Sequence, residues 1–538
     1  MVWILKHELG LRSGAVQWPL INASNVGIDF VSTEETINVS VNLGGLYNYN
    51  IDSASFANIN SGGSLKLSQP GRYDFYLNNT KFSNSSTTSH GGTLYMDYVR
   101  NGYLKNNSFT NSYSTNTGGA IYSSGQPIMD IIQCEFENCT SGSNGGAIYI
   151  SGHSKLDIFQ CEFKNCTSGN YGGSVHINSN ANFNISKCKF ENSKAKSYAG
   201  GAIYIYYMYF LSDCQFISCS SNTGGGAIFV EYGRNTPFFF RDSIFYNCSS
   251  NGDGGAMFLG NQYSVKFERL CFNKCTVSGT TSKGTCINYL SYSSSSPYLF
   301  GLEFISFGSC GKSGYGNGIL CIYSGQQNII NNNFSYNIGL SKSVLNTQPY
   351  YSLNIQYSTM LMCSSTELGS SCMFIESLST TPMALISFCN IIGNAAPYSV
   401  FYIKNYGSRA VFQFMRFINN SAPATGLVFN EYISAQGYVS ILNSITFNNS
   451  GGLGYSITSE AVVGSNAPTY TLTFHSTIFC ETFEQQNPLE VPCPTIPSFL
   501  NPPTPTQCAV NSENPMLSLN IANIIHVINP LTSLLLFE

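Results

Sequence analysis

Apolar and polar residues alternate in short runs along most of the chain. Cys161 and Phe163 alternate with Glu162 and Lys164, Leu156 and Ile158 flank Asp157, and Ile148 and Ile150 flank Tyr149. A period of two marks half-buried strands rather than helix, because successive strand side chains point to opposite faces. Clusters of Gly, Asn and Ser separate the runs, as turns require.

The runs themselves repeat. A Phe recurs at Phe56, Phe82, Phe109, Phe136, Phe163, Phe190, Phe216, Phe245 and Phe272, in steps of 26 to 29 residues. Five residues before each stands an apolar side chain, among them Leu104, Ile131, Ile158 and Ile185. Two residues after it Asn recurs, as in Asn111, Asn138, Asn165 and Asn192. Gly-Gly or a close variant follows at Gly62, Gly91, Gly118, Gly145, Gly172, Gly200, Gly225 and Gly254, each with an apolar residue three positions on. The period then loosens through Phe304, Phe334, Met362, Ile391, Phe417, Phe447 and Phe479.

A unit of about 27 residues, three short strands and three turns, cannot bury an apolar face alone, so neighbouring units must stack. The expected fold is all-β: a single-stranded right-handed parallel β-helix, or solenoid, of about 27-residue coils. Its hand follows from strand twist and the crossover rule. The expected organisation is an N-terminal segment or cap at 1–45, regular coils at 46–288, an irregular continuation at 289–480 and a Pro-rich tail at 481–538. Stacking turns each column into a ladder of like residues. The Phe column becomes an interior aromatic stack. The Asn column sits at a left-handed bend, each amide bonding the next. This ladder is expected on the inner side, where a glycan on the sequons at Asn138 or Asn165 would not fit. Gly-Gly supplies backbone angles and close approach.

Composition narrows the function. Of 538 residues only 10% are charged, aromatics reach 14%, and the net charge is −4. Disordered chains are more charged and poorer in aromatics. A nucleic-acid partner is not expected, since 24 Lys and Arg spread over this length make no basic footprint.

Gly145–Ile150 (GGAIYI) after Cys134–Cys139 (CEFENC), Gly172–Ile177 (GGSVHI) after Cys161–Cys166 (CEFKNC), and a third GGAIYI at Gly200–Ile205 carry a resemblance. The pattern resembles the polymorphic outer-membrane protein (Pmp) family, with its GGA(I/L/V) and FxxN repeats, and the similar repeats of large surface-protein families of parasitic protists. Here Asn stands two residues after Phe, not three, and the likeness covers about half the chain. No part resembles the membrane barrel of the bacterial proteins. The resemblance implies a surface or secreted β-helix linked to adhesion, and no catalytic residues.

The 19 Cys fall largely in two columns: Cys134, Cys161, Cys188 and Cys214 two before the Phe, and Cys139, Cys166, Cys219, Cys248 and Cys275 three after it. They read as small buried residues in a stack, with a disulfide ladder in an oxidising compartment as the alternative. No CxxC pair exists and the six His are scattered, so no metal ligand set is expected. The apolar run Met1–Leu5 is too short for a signal peptide. The segment Met516–Phe537 is broken by Asn520, Asn523, His526, Asn529 and Pro530, so membrane association is not expected of this chain. A cell-surface or secreted location is.

Enzymes built on β-helices need clustered carboxylates. Here Asp130 and Asp157 stack, but Asn184 follows; Glu135, Glu137 and Glu162 mix with Lys164, Lys189 and Glu191. That is a mixed-sign surface, and no catalytic residue, cofactor or small-molecule partner is read from it. One column does suggest binding. Tyr95, Tyr122, Tyr149, His176, Tyr204, Phe229 and Phe258 stand four after each first Gly and should face outward as an aromatic stripe. Tyr95, Tyr122, Tyr149, Tyr204, Phe229 and Phe258 are the candidate ligand-binding residues, a platform for a host or cell-surface protein or glycan. The expected function is a non-enzymatic adhesion or interaction scaffold; the alternative is a carbohydrate-active β-helix enzyme with a site in the irregular coils.

Overall fold

The computed structural model describes residues 48–462, except 69–72, 126–127, 153–154, 179–181, 208–209, 233–237, 263, 292–297, 324, 377–382, 406–408, 433–437, 453 and 456–458, together with four strand segments between 16 and 43. Phe479 and the Pro-rich tail at 481–538 lie outside the described residues.

The chain winds into a parallel β-helix. One coil runs through Ile148–Ser151, Lys155–Phe159, Glu162–Lys164 and Thr167–Ser168. Each strand pairs in parallel with its counterpart in the next coil: Ile148 with Val175, Leu156 with Phe183, Phe163 with Phe190 and Ser168 with Ala195. Among the described residues, the face that includes Ile148–Ser151 reaches 17 strands. The strand segments Val16–Gln17, Ile28–Val31, Thr36–Ile37 and Val41–Leu43 extend the same faces ahead of residue 48.

Two bends per coil use left-handed residues outside the glycine turn. One is the expected Asn column, with φ of 54° at Asn138 and 53° at Asn165. The other falls five residues earlier, at Gln133, Gln160, Lys187 and Asp213, and divides what the sequence presents as one strand. Asn tolerates this conformation because its short amide bonds locally. The expected amide ladder is present: Nδ2 of Asn138 donates to Asn111 at 3.2 Å, and Nδ2 of Asn165 to Asn138 at 3.1 Å. Its expected inner position is corrected, since Asn138 and Asn165 are exposed. The bend carries the chain from inward Phe163 to inward Cys166 and leaves Asn165 on the convex side.

The interior Phe stack is continuous from Phe56 to Phe334. Phe136 and Phe163 lie 4.8 Å apart at 4°, and Phe307 and Phe334 lie 4.9 Å apart at 6°. In the looser coils three expected members are displaced. Phe307, not Phe304, pairs with Phe272; Met360, not Met362, pairs with Phe334; and Thr446, not Phe447, pairs with Phe417. Coil length varies there, so counting 26 to 32 residues overshoots or falls short of the inward position. Phe304 and Met362 instead occupy left-handed bends, and Met362 and Phe447 are 52% and 65% exposed.

The Gly-Gly turn needs both glycines. Gly145 has φ of 63°, and a Cβ on Gly146 would sit 1.9 Å from the carbonyl oxygen of Gly173 in the next coil.

Fifteen described cysteines are free and buried. Those in the two columns beside the Phe stack serve the bends. Cys139 Sγ donates to Phe109 O at 3.4 Å and Cys166 Sγ to Phe136 O at 3.6 Å, each one coil below. Elsewhere in that column Asn does the same, as Asn337 Nδ2 donates to Phe307 O at 2.9 Å and Asn420 Nδ2 to Ile391 O at 2.8 Å. The position requires a small donor, because the bend leaves a buried carbonyl that must be satisfied.

Phe163→Ala should lower unfolding stability by about 3–5 kcal/mol in denaturant titration. Asn165→Gly should cost less than Asn165→Ala in the same measurement, because Gly keeps the left-handed bend free of strain.

A candidate binding face and its polar interruption

The outward stripe forms because the strand after each Gly-Gly turn alternates. Ile148 and Ile150 enter the bore, so Tyr149 between them faces out. Register then places Tyr95 beside Tyr122, Tyr122 beside Tyr149, His176 beside Tyr204, Tyr204 beside Phe229, and Phe229 beside Phe258. The rings stack at 5.1 Å (Tyr95–Tyr122), 5.5 Å (Tyr122–Tyr149), 5.0 Å (Tyr149–His176), 4.9 Å (His176–Tyr204), 5.2 Å (Tyr204–Phe229) and 4.6 Å (Phe229–Phe258). The six candidate residues therefore form one ladder with His176 in its middle.

Access along the ladder is uneven. Tyr95, Tyr122, Tyr149, Phe229 and Phe258 are half-buried, whereas His176 and Tyr204 are each 6% exposed. Tyr171 covers them: its ring lies 6.1 Å edge-on to His176 and 4.6 Å from Tyr204, and it stacks on Tyr198 at 4.8 Å. Tyr204 also donates its hydroxyl to Glu231. Because the rings cover one another's faces, the surface offers ring edges and hydroxyls.

After Phe258 the outward position changes chemistry. Asn288 and Cys321 succeed it, then Asn346, before Phe374 and Tyr402 resume the aromatics. Asn288 Nδ2 donates to Asp253 Oδ2 at 3.1 Å, and the Lys283 amide to Asp253 Oδ1 at 2.8 Å. The Gly284 amide meets Cys321 Sγ at 3.0 Å. Lys283 Nζ lies 4.9 Å over the Tyr323 ring and Lys342 Nζ 5.1 Å over Phe374. Burial raises the Asp253 carboxyl, pushes the Cys321 thiol up to about 12 and lowers the Lys342 amine. Sequence reasoning missed this cluster. Its one signal is the loss of aromatics from the column at Asn288.

A second outward ladder was also missed. Tyr357, Phe388 and Phe414 stack at 5.1 and 4.8 Å, and all three sit in left-handed bends with φ of 50–54°. Bulky side chains rarely take that conformation. Nor did the sequence reading find a metal set, yet Cys275, Cys286 and Cys310 come together inside the bore.

The acidic residues behave as expected of a mixed-sign surface. Lys155 pairs with Asp157 at 2.6 Å, Lys189 with Glu162 at 3.1 Å and with Glu191 at 2.8 Å. Asp130 stacks beside Asp157, and burial raises its carboxyl.

Residues 120–305 match the family described as the right-handed β-helix region. The helix is thus right-handed, as the twist argument expects, and the matched span carries the ladder from Tyr122 to Phe258. No curated protein and no solved structure matches the chain. Among the described residues no helix is long and apolar enough to cross a membrane.

Burial holds the His176 imidazole neutral, lowering its pKa from 6.5 to about 3. Between about pH 6.5 and pH 3 the unfolded chain binds a proton there and the folded chain does not. The resulting stability is complete above about pH 6.5 and lost as pH falls toward 3. His176→Tyr, the residue at the neighbouring positions 149 and 204, should raise the melting temperature at about pH 5 and leave it near unchanged at about pH 8.

Proposed function

We propose that this chain is a non-enzymatic β-helix of the cell surface or secreted space that binds a partner along its outward aromatic ladder. The ladder carries the reading: seven successive coils keep a ring at one outward position, from Tyr95 to Phe258. A row of edges and hydroxyls suits a protein surface, which supplies apolar contacts and hydrogen bonds together. A sugar ring stacks on an open aromatic face, and here neighbouring rings take the faces. The likeness of the Gly-Gly-Ala and Phe-x-Asn repeats to Pmp-type surface proteins supports the same location and an adhesive role. The reading includes no nucleic acid, cofactor or membrane insertion.

A second reading attaches to the polar interruption. Burial raises the Asp253 carboxyl and lowers the Lys342 amine, both groups act on the charge of Cys321, and groups shifted in these directions are the kind that general acid–base chemistry uses. On that reading the chain is a carbohydrate-active β-helix enzyme working on its outer face.

The two are separated by one pair of variants. Replacing Tyr122, Tyr149 and Phe229 together by Ser should abolish binding of the purified chain to cells, at an unchanged circular dichroism spectrum, while Asp253→Asn leaves binding intact. Retained binding by the triple variant overturns the scaffold reading. Release of reducing ends from a polysaccharide panel by the native chain, lost in Asp253→Asn, would establish the enzyme instead. Binding competed by free glycans rather than by protease-sensitive surface proteins would move the partner from protein to glycan.

A further inference from the structure

We propose that Cys275, Cys286 and Cys310 form an interior binding site for one thiophilic divalent cation of the zinc(II) or cadmium(II) kind. Their three sulfur atoms lie within 4.8 Å of one another, and all three residues are buried. Two inward columns meet at this corner of the bore. Cys275 and Cys310 are successive members of the small-donor column that follows the Phe stack, three residues after Phe272 and Phe307. Cys286 occupies the place held by Ala120, Ala147, Ala202, Ala227 and Ala256 in earlier coils, directly after the glycine turn.

The fold brings these two columns into contact in three earlier coils where both carry hydroxyls. Ser64 and Ser85 approach to 2.6 Å, Thr93 and Ser112 to 2.7 Å, and Ser174 and Ser193 to 2.7 Å. Cys286 and Cys310 hold the same relation. The convergence is thus set by backbone register. At this coil the preceding member of the donor column, Cys275, adds a third sulfur.

The donor chemistry selects the ion. Zinc–thiolate bonds of about 2.3 Å place sulfurs about 3.8 Å apart, so closing the cluster requires shifts of about 1 Å or less. An all-sulfur set rejects hard cations such as Mg²⁺ and Ca²⁺ and takes thiophilic ones. The bore is apolar, so residual charge is costly. Three thiolates around a divalent ion leave one net negative charge, and around a monovalent ion they leave two. As thiols, Cys310 donates toward Phe272 O and Gly308 O at 3.5 and 3.3 Å and Cys275 toward Phe245 O and Asn273 O at 3.7 and 3.6 Å, and loading exchanges these bonds for metal–sulfur bonds. Loading forms three metal–sulfur bonds and releases three thiol protons to solvent, with no change of oxidation state. Because the corner is sealed, the ion enters as the coils close during folding.

The test uses the full chain, isolated under reducing conditions from a zinc-supplemented culture, and the same chain refolded with cadmium(II). The expected result is one equivalent of metal held against a competing chelator, with an ultraviolet thiolate-to-cadmium band. Cys286→Ala, which restores the residue of the coil below, should lose the metal and the band while keeping a cooperative melting transition. Cys310→Ser, with the side chain of Ser112 and Ser193 in the same column, should do the same if Cys286→Ala fails to fold. Cys166→Ser, outside the cluster, should keep one equivalent. No retained metal in the native chain, retention by Cys286→Ala or Cys310→Ser equal to the native level, or a Cys286–Cys310 disulfide in peptide maps of the freshly isolated protein would each overturn the proposal.

Discussion

Everything in this molecule depends on parallel backbone pairing between one coil and the next. Each strand hydrogen-bonds to its counterpart about 27 residues away, as Phe136 with Phe163 and Phe163 with Phe190. In-register pairing puts like beside like at one strand spacing. A residue type that stacks favourably on itself is therefore rewarded in every coil, and one that repels itself is penalised in every coil. Phe inside, Tyr outside and Asn at the bend satisfy this condition. Lys and Glu satisfy it where they alternate, as Glu162 and Lys189 do, while like-charge neighbours such as Glu135 and Glu162 are few. The low charge of the chain follows from the same rule.

The bends impose a second condition. A left-handed residue interrupts the regular strand and leaves a carbonyl inside the bore that the ladder alone does not satisfy. Cys and Asn share the ability to answer it, which explains why Cys139, Cys166 and Asn337 occupy one column despite their different chemistry, while Ser193 in that column bonds the Ser174 hydroxyl. The structural unit is a small inward donor rather than a cysteine.

Most of the architecture was legible in the sequence because the repeat samples one design many times. Alternation, the Phe column and the glycine turn each appear in nine or so copies, so noise averages out between Phe56 and Phe272. Legibility fails where that redundancy fails. Phe304 looks like a stack member until the longer coil before Phe307 is seen, because aromatic identity says nothing about which side of a bend a residue takes. The Asn ladder was recognised but placed on the wrong side, since an alternating pattern does not reveal that a left-handed residue resets the alternation. The outward stripe from Tyr95 to Phe258 could be read from position alone. The covering by Tyr171 and the polar cluster around Asp253 could not, as they join residues from turns of irregular length.

The thiol columns have a consequence for how the coils are joined. Cys139 and Cys166 bond to carbonyls of the coil below rather than to another sulfur. Those coils gain nothing from oxidation and lose nothing in a reducing medium. That column is thus held from coil to coil by thiol–carbonyl hydrogen bonds, which join each turn to its neighbour without a covalent cross-link, whereas Cys271, outside the two columns, is disulfide-bonded.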